Sequence, residues 1–191
     1  MSRKYKFLDQ SKLYFVSFAT VYWIDVFTRE VYKQILIDSL KYCQQKKGLE
    51  VFAWCIMTNH VHLIIGTEGN KMEDILRDFK SFTSRELKET IKNNLQESRK
   101  EWMIWMMERA GKINNHNGNW QLWQQHNKPI ELFTYSVIKQ KLDYIHNNPV
   151  EAGFVTNAID WNYSSAIDYA GGKGFLDIKL FVSFPKIRTI C

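Results

Sequence analysis

Two histidines in an apolar run, His60 and His62, are the first residues of this sequence whose types and spacing suggest chemistry. They stand one residue apart in CIMTNHVHLII, residues 55–65. Residues i and i+2 of a β-strand project from the same face, so a strand here would bring both imidazoles to one point. An isolated pair of this kind also suits two hydrogen-bonded core histidines, since a metal site needs at least a third ligand. Candidates for a third ligand are carboxylates, amides and the other histidines, His116, His126 and His146.

A second group of candidates lies in the segment TYSVIKQKLDYIHNN, residues 134–148. Its apolar residues recur every three to four positions, which predicts an amphipathic helix. Thr134 can cap the start of this helix. Pro149 should end it at about Asn148, because the residue before proline avoids the helical conformation. The predicted apolar stripe consists of Ile138, Leu142 and Ile145.

Tyr144 and Asn148 lie one turn apart on one face of this predicted helix, at the border of its apolar stripe. Lys141 lies one turn earlier on the same side. A border tyrosine and a helix-ending asparagine are common without any function. If this border faces the histidines, however, an amide oxygen and a phenol reach the same point as the two imidazoles. That combination would suit a metal-dependent nuclease or transesterase.

The rest of the chain predicts the elements that would position these residues. Residues 49–57 and 60–68 are nearly all apolar and flank Thr58 and Asn59, which predicts a β-hairpin covered on both faces. Strands interleaved with helices around a hairpin indicate an α+β fold with a mainly antiparallel sheet. The other predicted elements are a strand at 14–22, a helix at 28–48, one or two helices over 71–109, and a short edge strand near Pro129.

Length, charge and cysteine content narrow the class of protein. At 191 residues, of which 45% are hydrophobic, the chain predicts a single globular domain over residues 1–191. A formal net charge of +6 suits a partner rich in phosphates without requiring one. Three cysteines without metal-ligand spacing argue against a disulfide framework or a zinc finger, and no segment is apolar enough to cross a membrane. We therefore expect a cytoplasmic protein without a membrane partner.

Several segments together resemble a known family. WCIMTNHVHLII (54–65) resembles the His-hydrophobic-His signature of the HUH endonuclease superfamily. DYIHNNPVEAGFV (143–155) resembles the tyrosine motif of the REP-associated tyrosine transposases, which are single-tyrosine relatives of insertion-sequence transposases. DWNYSSAIDY (160–169) is similar to the Trp-X-X-Ser-Ser segment of these proteins, and LWQQH (122–126) agrees in order and spacing. The resemblance covers roughly residues 10–170.

The resemblance implies a role for each matching position. His60 and His62 match the two metal-binding histidines of the family. Tyr144 matches its catalytic tyrosine, and Asn148 matches its third metal ligand, which is glutamine in some relatives. His146 lies between these two, but its helical position is predicted to point elsewhere. The implied fold is a ferredoxin-like α+β domain, in which helices flank a central antiparallel sheet and the histidines lie beside the tyrosine helix.

The resemblance also implies a reaction, a cofactor and a partner. Members of the family cleave and rejoin single-stranded DNA: the tyrosine oxygen attacks the scissile phosphate, a 3′-hydroxyl leaves, and a covalent 5′-phosphotyrosine forms. The implied metal is Mg²⁺ or Mn²⁺. The implied DNA is a hairpin-forming repeat or the end of a mobile element, and relatives occur both as monomers and as homodimers. We add the hypothesis that Lys141 stabilises the phenolate of Tyr144.

Basic residues beside aromatic ones are candidates for DNA contacts, because proteins bind single strands through phosphate neutralisation and base stacking. One group forms an N-terminal arm, and the other lies along one side of the long predicted helix. The groups are Arg3, Lys4 and Lys6, and Arg85, Lys88 and Lys92.

Three other interpretations of these residues stay open. A domesticated descendant would bind DNA hairpins without cutting them, although it has no need to keep the whole set of candidate residues. A replication initiator or relaxase of the same superfamily would perform the same chemistry on a plasmid origin. An unrelated metal-dependent hydrolase would use His60 and His62 with water as the nucleophile, and it predicts that Tyr144→Phe stays active.

Overall fold

The computed structural model describes residues 7–113, 119–125, 127 and 129–181. Its centre is a sheet of four antiparallel strands in the order β2-β3-β1-β4. The strands are β1 (Tyr14–Ala19), β2 (Leu49–Ile56), β3 (His60–Thr67) and β4 (Ile130–Glu131). Several predicted candidates lie outside the described residues, namely His116, His126, Arg3, Lys4 and Lys6.

Helices cover both faces of the sheet. They are α1 (Glu30–Lys47), α2 (Met72–Asn93), α3 (Lys100–Ile113), α4 (Tyr135–Glu151) and the short α5 (Ala166–Tyr169). The succession β1-α1-β2-β3-α2-β4, with β4 beside β1, is that of a ferredoxin-like fold, with α3 added before β4. The predicted α+β fold class is therefore confirmed. None of the helices in the described part of the chain is long and apolar enough to cross a membrane.

The two faces of the sheet belong to two separate apolar cores. In the larger core, Val61 and Leu63 of β3 pack with residues of α1, α2 and α3. On the other face, Ile64 packs with residues of α4. Successive side chains of a strand alternate between faces, so His60 and His62 share the face of Ile64 and look toward α4.

The predicted hairpin is confirmed, with Thr58 and Asn59 as its turn. The backbone N–H of Met57 donates to the carbonyl of His60 at 2.8 Å, which closes a two-residue loop. This turn packs against the segment that follows β1, where the N–H of Thr20 donates to the carbonyl of Asn59 at 2.9 Å. The start of β3 is thus joined to the end of β1 next to the histidines.

β1 ends at Ala19, so the prediction of a strand over 14–22 is wrong beyond that residue. Tyr22 and Trp23 have φ values of 54° and 56°, which lie in the left-handed region and cannot continue extended pairing. The chain leaves the sheet there in a short 3-10 turn. Apolar and β-branched composition predicted the strand correctly but carries no signal for this change of backbone conformation.

The start of α1 differs slightly from its prediction. The helix begins at Glu30 with Arg29 as the N-cap, two residues after the predicted start at residue 28. Gly48 ends it with φ of 68°, as predicted for a glycine that follows a helix. In the first turn of α1, Val31 is exposed, whereas Tyr32 and Lys33 beside it are buried.

Two of the remaining helix predictions have clear outcomes. The segment 71–109 forms two helices, α2 and α3, rather than one. The prediction that Pro149 ends the tyrosine helix is wrong, because α4 continues to Glu151. Pro149 lies buried in the last turn, where a missing N–H affects only one intrahelical hydrogen bond. The N–H of Phe154 then donates to the Pro149 carbonyl at 2.9 Å, and Gly153 leaves the helix with φ of 74°.

A buried carboxylate, Glu97, joins the start of α1 to the start of α3. Its side chain accepts hydrogen bonds from Arg29 Nε at 2.9 Å, Arg99 Nε at 3.0 Å and the Tyr32 hydroxyl at 3.3 Å. Burial alone would raise the pKa of Glu97, but the hydrogen bonds from Arg99 and Arg29 lower this pKa to about 2. These four residues are called the Glu97 cluster below. Arg99 also donates to the carbonyl of Asp25 at 3.0 Å and so fixes the segment between β1 and α1.

Candidate active site

Four aromatic rings stand in a row beside β3 and α4. Their order is Trp23, His60, His62 and Tyr144, and successive ring centroids are 5.7, 4.7 and 5.1 Å apart. The hydroxyl of Tyr144 lies 3.5 Å from Nε2 of His62. Phe15 of β1 stacks on His62 with the centroids 5.5 Å apart. The strand and the helix thus bring both histidines and the tyrosine to one place.

Asn148 completes this group, because burial lowers the pKa of His60 and the side chain of Asn148 is close enough to oppose that lowering. Tyr144 and Asn148 are one turn apart on α4, and the two histidines are two residues apart on β3, so each helix residue meets one histidine. The four residues His60, His62, Tyr144 and Asn148 are called the histidine site below. The structure therefore brings together all four residues that the sequence singled out.

Asn59 determines which nitrogen of His60 carries the proton. Nδ1 of His60 lies 2.7 Å from Oδ1 of Asn59, and a carbonyl oxygen only accepts, so Nδ1–H donates and the lone pair is on Nε2. The amide nitrogen of Asn59 is itself occupied, because it donates to Asp25 Oδ1 at 3.1 Å and to the Trp23 carbonyl at 3.3 Å. Metal-binding histidines commonly have such a partner on the nitrogen that does not bind the metal.

His62 is a buried histidine whose hydrogen-bonding capacity is not satisfied. It is only 4% exposed. Burial, followed by the nearby His60 and Lys141, lowers its pKa to about 3, so the ring is neutral near neutral pH. Its Nδ1 has no hydrogen-bonding partner among the described residues, and its Nε2 has only the long contact with Tyr144. Since an unsatisfied buried polar atom costs free energy, His62 is not an ordinary core histidine.

The donor atoms of the histidine site fit a divalent cation. Neutral imidazole nitrogens suit transition metals, and an amide oxygen is a ligand type suited to Mg²⁺ and Mn²⁺. In the described part of the chain, no three His, Cys, Asp or Glu side chains form a group suited to a metal. A metal site on this histidine pair would therefore depend on another ligand type, and the amide of Asn148 is such a group. Three protein ligands leave coordination positions for a phosphate oxygen and water.

Lys141 places a positive charge close to the candidate tyrosine. Its Nζ lies 5.7 Å from the ring centroid of Tyr144 and 4.9 Å from that of Phe15. The structure shows no ion pair between Lys141 and any described residue. Because no carboxylate of the described residues lies within ion-pair distance, the ammonium group can interact with an anion at the histidine site.

Other predicted candidates lie elsewhere. His146 points away from the histidine site, as predicted, and its Nε2 is 2.9 Å from the hydroxyl oxygen of Ser165. Arg85, Lys88 and Lys92 belong to α2, which packs on the face of the sheet opposite the histidines. The structure therefore does not bring this basic side of α2 to the histidine site.

Asn59 and Trp23 are neighbours of the histidines that sequence reasoning missed. Asn59 directly precedes the histidine pair, and an amide in that position is a signal that could have identified it. Trp23 gave no comparable signal, because it comes close to His60 only through the left-handed turn that replaces the end of the predicted strand.

Comparison with known proteins identifies the family. Residues 10–108 match the family of IS200-like transposases. This match spans more than half of the chain, so the protein belongs to that family. The matched residues include His60 and His62 but end before α4, so Tyr144 and Asn148 lie outside them. A search of curated proteins finds no match.

Two solved structures are similar to this chain. The first is a REP-associated tyrosine transposase bound to a REP hairpin, with 18% sequence identity, a TM-score of 0.63, and coverage of 98% of this chain and 99% of that chain. The expected resemblance is thereby confirmed at the level of the fold. The second is a protein from Deinococcus radiodurans R1 assigned as a transposase, with 23% identity, a TM-score of 0.42, and coverage of 77% and 95%. This weaker likeness adds nothing to the assignment.

Proposed function

We propose that this protein cleaves and rejoins single-stranded DNA with the hydroxyl of Tyr144 as the nucleophile. In this proposal Mg²⁺ or Mn²⁺ is held by His60, His62 and Asn148. The main support is the 3.5 Å contact between the Tyr144 hydroxyl and Nε2 of His62. Because the nucleophile lies beside the proposed ligands, a phosphate held there is within its reach. Tyr144 is 40% exposed, so a strand has access to it.

The proposed step is a transesterification. The Tyr144 oxygen forms a bond to phosphorus while the bond from phosphorus to the 3′ oxygen breaks, and the phenolic proton is lost as the 3′ oxygen leaves as a hydroxyl. The resulting 5′-phosphotyrosine conserves the energy of the phosphodiester, so attack by a 3′-hydroxyl rejoins a strand. When bound, the cation would neutralise charge on the non-bridging oxygens and orient the phosphate.

The surrounding residues have supporting roles in this proposal. Asn59 holds the proton of His60 on Nδ1, which leaves Nε2 able to bind the cation. Lys141 stabilises negative charge on the phenol of Tyr144, next to which its ammonium group lies. An unchanged cleavage rate and pH profile in Lys141→Ala would remove Lys141 from this scheme.

DNA is proposed as the substrate on the basis of family membership, and a hairpin-forming strand on the basis of the fold. The REP-associated tyrosine transposase that shares this fold was solved with a REP hairpin. By analogy, the substrate proposed for this chain is a strand from a repeat or an element end that folds into a hairpin. Fold likeness gives no information on the sequence recognised.

The experiment that tests the proposal is a covalent-adduct assay. Labelled single strands from both flanks of the gene that encodes this protein are incubated with the protein and Mg²⁺ or Mn²⁺, and the products are separated on a denaturing protein gel. We expect a metal-dependent labelled band that disappears in Tyr144→Phe. Tyr135→Phe is the matched control, because Tyr135 lies on the same helix and is 42% exposed.

Each outcome of this assay distinguishes one interpretation. Cleavage without an adduct that survives in Tyr144→Phe would replace the proposal with hydrolysis by water. Tight binding of strands without cleavage would favour a domesticated protein that only binds DNA. Loss of the adduct in Tyr135→Phe as well would show that the assay reports damage to α4 rather than loss of the nucleophile.

A further inference from the structure

Tyr22 and Trp23 are two large exposed aromatic residues, of which Trp23 lies next to the histidine site. They are 47% and 57% exposed, and the ring centroid of Trp23 lies 5.7 Å from that of His60. Among the described residues, neither the Trp23 indole nitrogen nor the Tyr22 hydroxyl has a hydrogen-bonding partner. Single exposed aromatic residues are ordinary on protein surfaces, so exposure alone does not indicate a function.

The backbone at these two residues is the second observation. Tyr22 and Trp23 are the only non-glycine residues with positive φ in the part of the chain that the structure describes. Such values are unfavourable for bulky side chains, whereas glycine and asparagine adopt them readily. Strain of this kind persists only where the surrounding structure imposes it, and it concentrates at functional sites. Two consecutive strained aromatic residues therefore need an explanation beyond making a turn.

Contacts on both sides hold the turn in this conformation. Val21 and Ile24, which flank the aromatic pair, are buried in the larger core. The side chain of Asn59 donates to the carbonyl of Trp23 at 3.3 Å while its oxygen accepts from His60. One asparagine thus fixes the position of Trp23 relative to the proposed metal ligand.

We propose that Trp23 stacks on a nucleobase next to the phosphate that Tyr144 attacks, and that Tyr22 offers a second ring to the neighbouring base. This inference rests on the proposed function and deepens it by naming the surface that holds the strand. In the row of rings, Trp23 stands at one end and Tyr144 at the other, with the proposed phosphate-binding histidines between them. Aromatic rings bind single strands in this way with little dependence on sequence, since every base has a π face.

A recess beyond Tyr22 continues this surface. It has a volume of ≈ 400 Å³. The amide side chain of Gln125, which is exposed at the recess, can hydrogen-bond to base edges, as amides do in other complexes with nucleic acids. The amide nitrogens of Gln121 and Gln124 already donate to backbone carbonyls. A strand that passes over Trp23 and Tyr22 would therefore meet hydrogen-bonding groups next. The residues that line the recess include Val21, Tyr22, Gln121, Gln124 and Gln125.

The test separates contacts to bases from contacts to phosphates. All variants carry Tyr144→Phe so that binding is measured without cleavage. Affinity is measured by fluorescence anisotropy for two labelled strands of about 16 nucleotides, one of oligothymidylate and one with abasic sugars throughout. We expect Trp23→Ala to weaken binding of oligothymidylate by roughly 5- to 150-fold and to leave binding of the abasic strand unchanged, whereas Trp23→Phe retains most of the affinity. Trp105→Ala is the control, because Trp105 is 55% exposed but lies on α3, outside the row of rings.

Two results would overturn the stacking inference without overturning the proposed function. Equal binding of oligothymidylate by Trp23→Ala and its parent would refute stacking but not the proposed function, provided that the protein with Tyr144 intact forms the covalent adduct. Equal losses for both strands would show that Trp23 acts through the fold rather than through a base, and a melting temperature for each variant identifies that case. Failure of the parent protein to bind either strand would overturn the inference and the proposed function together.

Discussion

The Glu97 cluster and the histidine site both place polar side chains in buried positions, but they satisfy those side chains to opposite degrees. Both oxygens of the Glu97 carboxylate accept hydrogen bonds from Arg99, and one of them also accepts from Arg29 and Tyr32. His62, by contrast, has one nitrogen without any described partner and another with only a 3.5 Å contact. Hydrogen bonding is nearly complete in the first cluster and incomplete in the second.

This difference separates a structural role from a binding role. A buried charge with good partners joins distant parts of the chain, and removing one partner is strongly destabilising. A buried imidazole without partners lowers stability, and such a cost is commonly associated with function. The Glu97 cluster accordingly joins α1 to α3, while the histidine site leaves nitrogen atoms available to a ligand.

The largest expected effect comes from replacing His62 with a residue that cannot bind a metal. His62→Leu should lower the rate of strand cleavage by roughly 10³-fold, because a bound cation contributes several kcal/mol to phosphoryl transfer. The free energy of unfolding should stay the same or rise, since leucine removes the unsatisfied Nδ1 and fills a similar volume beside Phe15. Cleavage assays and urea unfolding measure the two quantities. A large loss of stability would show that His62 contributes to the core and would weaken the contrast with the Glu97 cluster.

Glu97→Gln should have the opposite effects to His62→Leu: it should lower the free energy of unfolding and leave the cleavage rate unchanged. It leaves Arg29 and Arg99 without a counter-charge, and we expect the free energy of unfolding at neutral pH to fall by roughly 3 kcal/mol. Cleavage by the folded variant should be unchanged, because the cluster does not touch the histidine site. The control is Glu89→Gln, which removes an exposed carboxylate 3.9 Å from Lys92 and should cost less than about 1 kcal/mol. Equal effects of the two substitutions in urea unfolding would contradict the role given to Glu97.

The Glu97 cluster also predicts how stability depends on pH. The pKa of Glu97 is lowered from 4.5 to about 2, so in the unfolded protein this carboxylate takes up a proton first as the pH falls. Its contribution is therefore complete above about pH 4.5 and is lost between that pH and about pH 2. The difference in unfolding free energy between the wild type and Glu97→Gln should shrink over this range. Urea titrations at several pH values measure it, and a constant difference would mean that another group dominates acid unfolding.

Strand and helix periods explain which parts of the molecule were predictable from the sequence. His60 and His62 share a face because side chains alternate on any strand, and Tyr144 and Asn148 share a face because they are one helical turn apart. The resemblance to a family added the prediction that the histidine pair and the helix pair lie next to each other in the fold. The geometry of the histidine site was therefore largely predictable.

The features that were not predicted depend on contacts between distant residues or on unusual backbone conformations. Glu97 meets Arg29 across 68 positions of the chain, and no local pattern indicates such a pair. The turn at Tyr22 and Trp23 contradicts local strand propensity, because its conformation is imposed by buried neighbours and by Asn59. The continuation of α4 through Pro149 reflects packing at the end of a helix, which a rule about local backbone preference cannot include.

The smallest expected effect concerns Asn59, whose amide nitrogen is hydrogen-bonded within the fold and whose oxygen accepts from His60 of the histidine site. Asn59→Ala should weaken binding of Mn²⁺ by roughly 10- to 100-fold, because His60 loses the acceptor that holds its proton on Nδ1. The loss of signal from free Mn²⁺ in electron paramagnetic resonance measures this affinity without any DNA. Thr58→Ala is the matched control: it removes a 2.6 Å hydrogen bond from the same turn to Asp25 but does not touch His60.

If both turn variants lose similar stability but only Asn59→Ala loses affinity for Mn²⁺, the effect comes from the orientation of His60 rather than from the turn itself. Equal losses of affinity would instead assign Asn59 a structural role like that of the Glu97 cluster. His60 would then depend on a hydrogen bond that stabilises the fold. Within the histidine site, only His62 would still differ from the Glu97 cluster in having hydrogen-bonding atoms that are not satisfied.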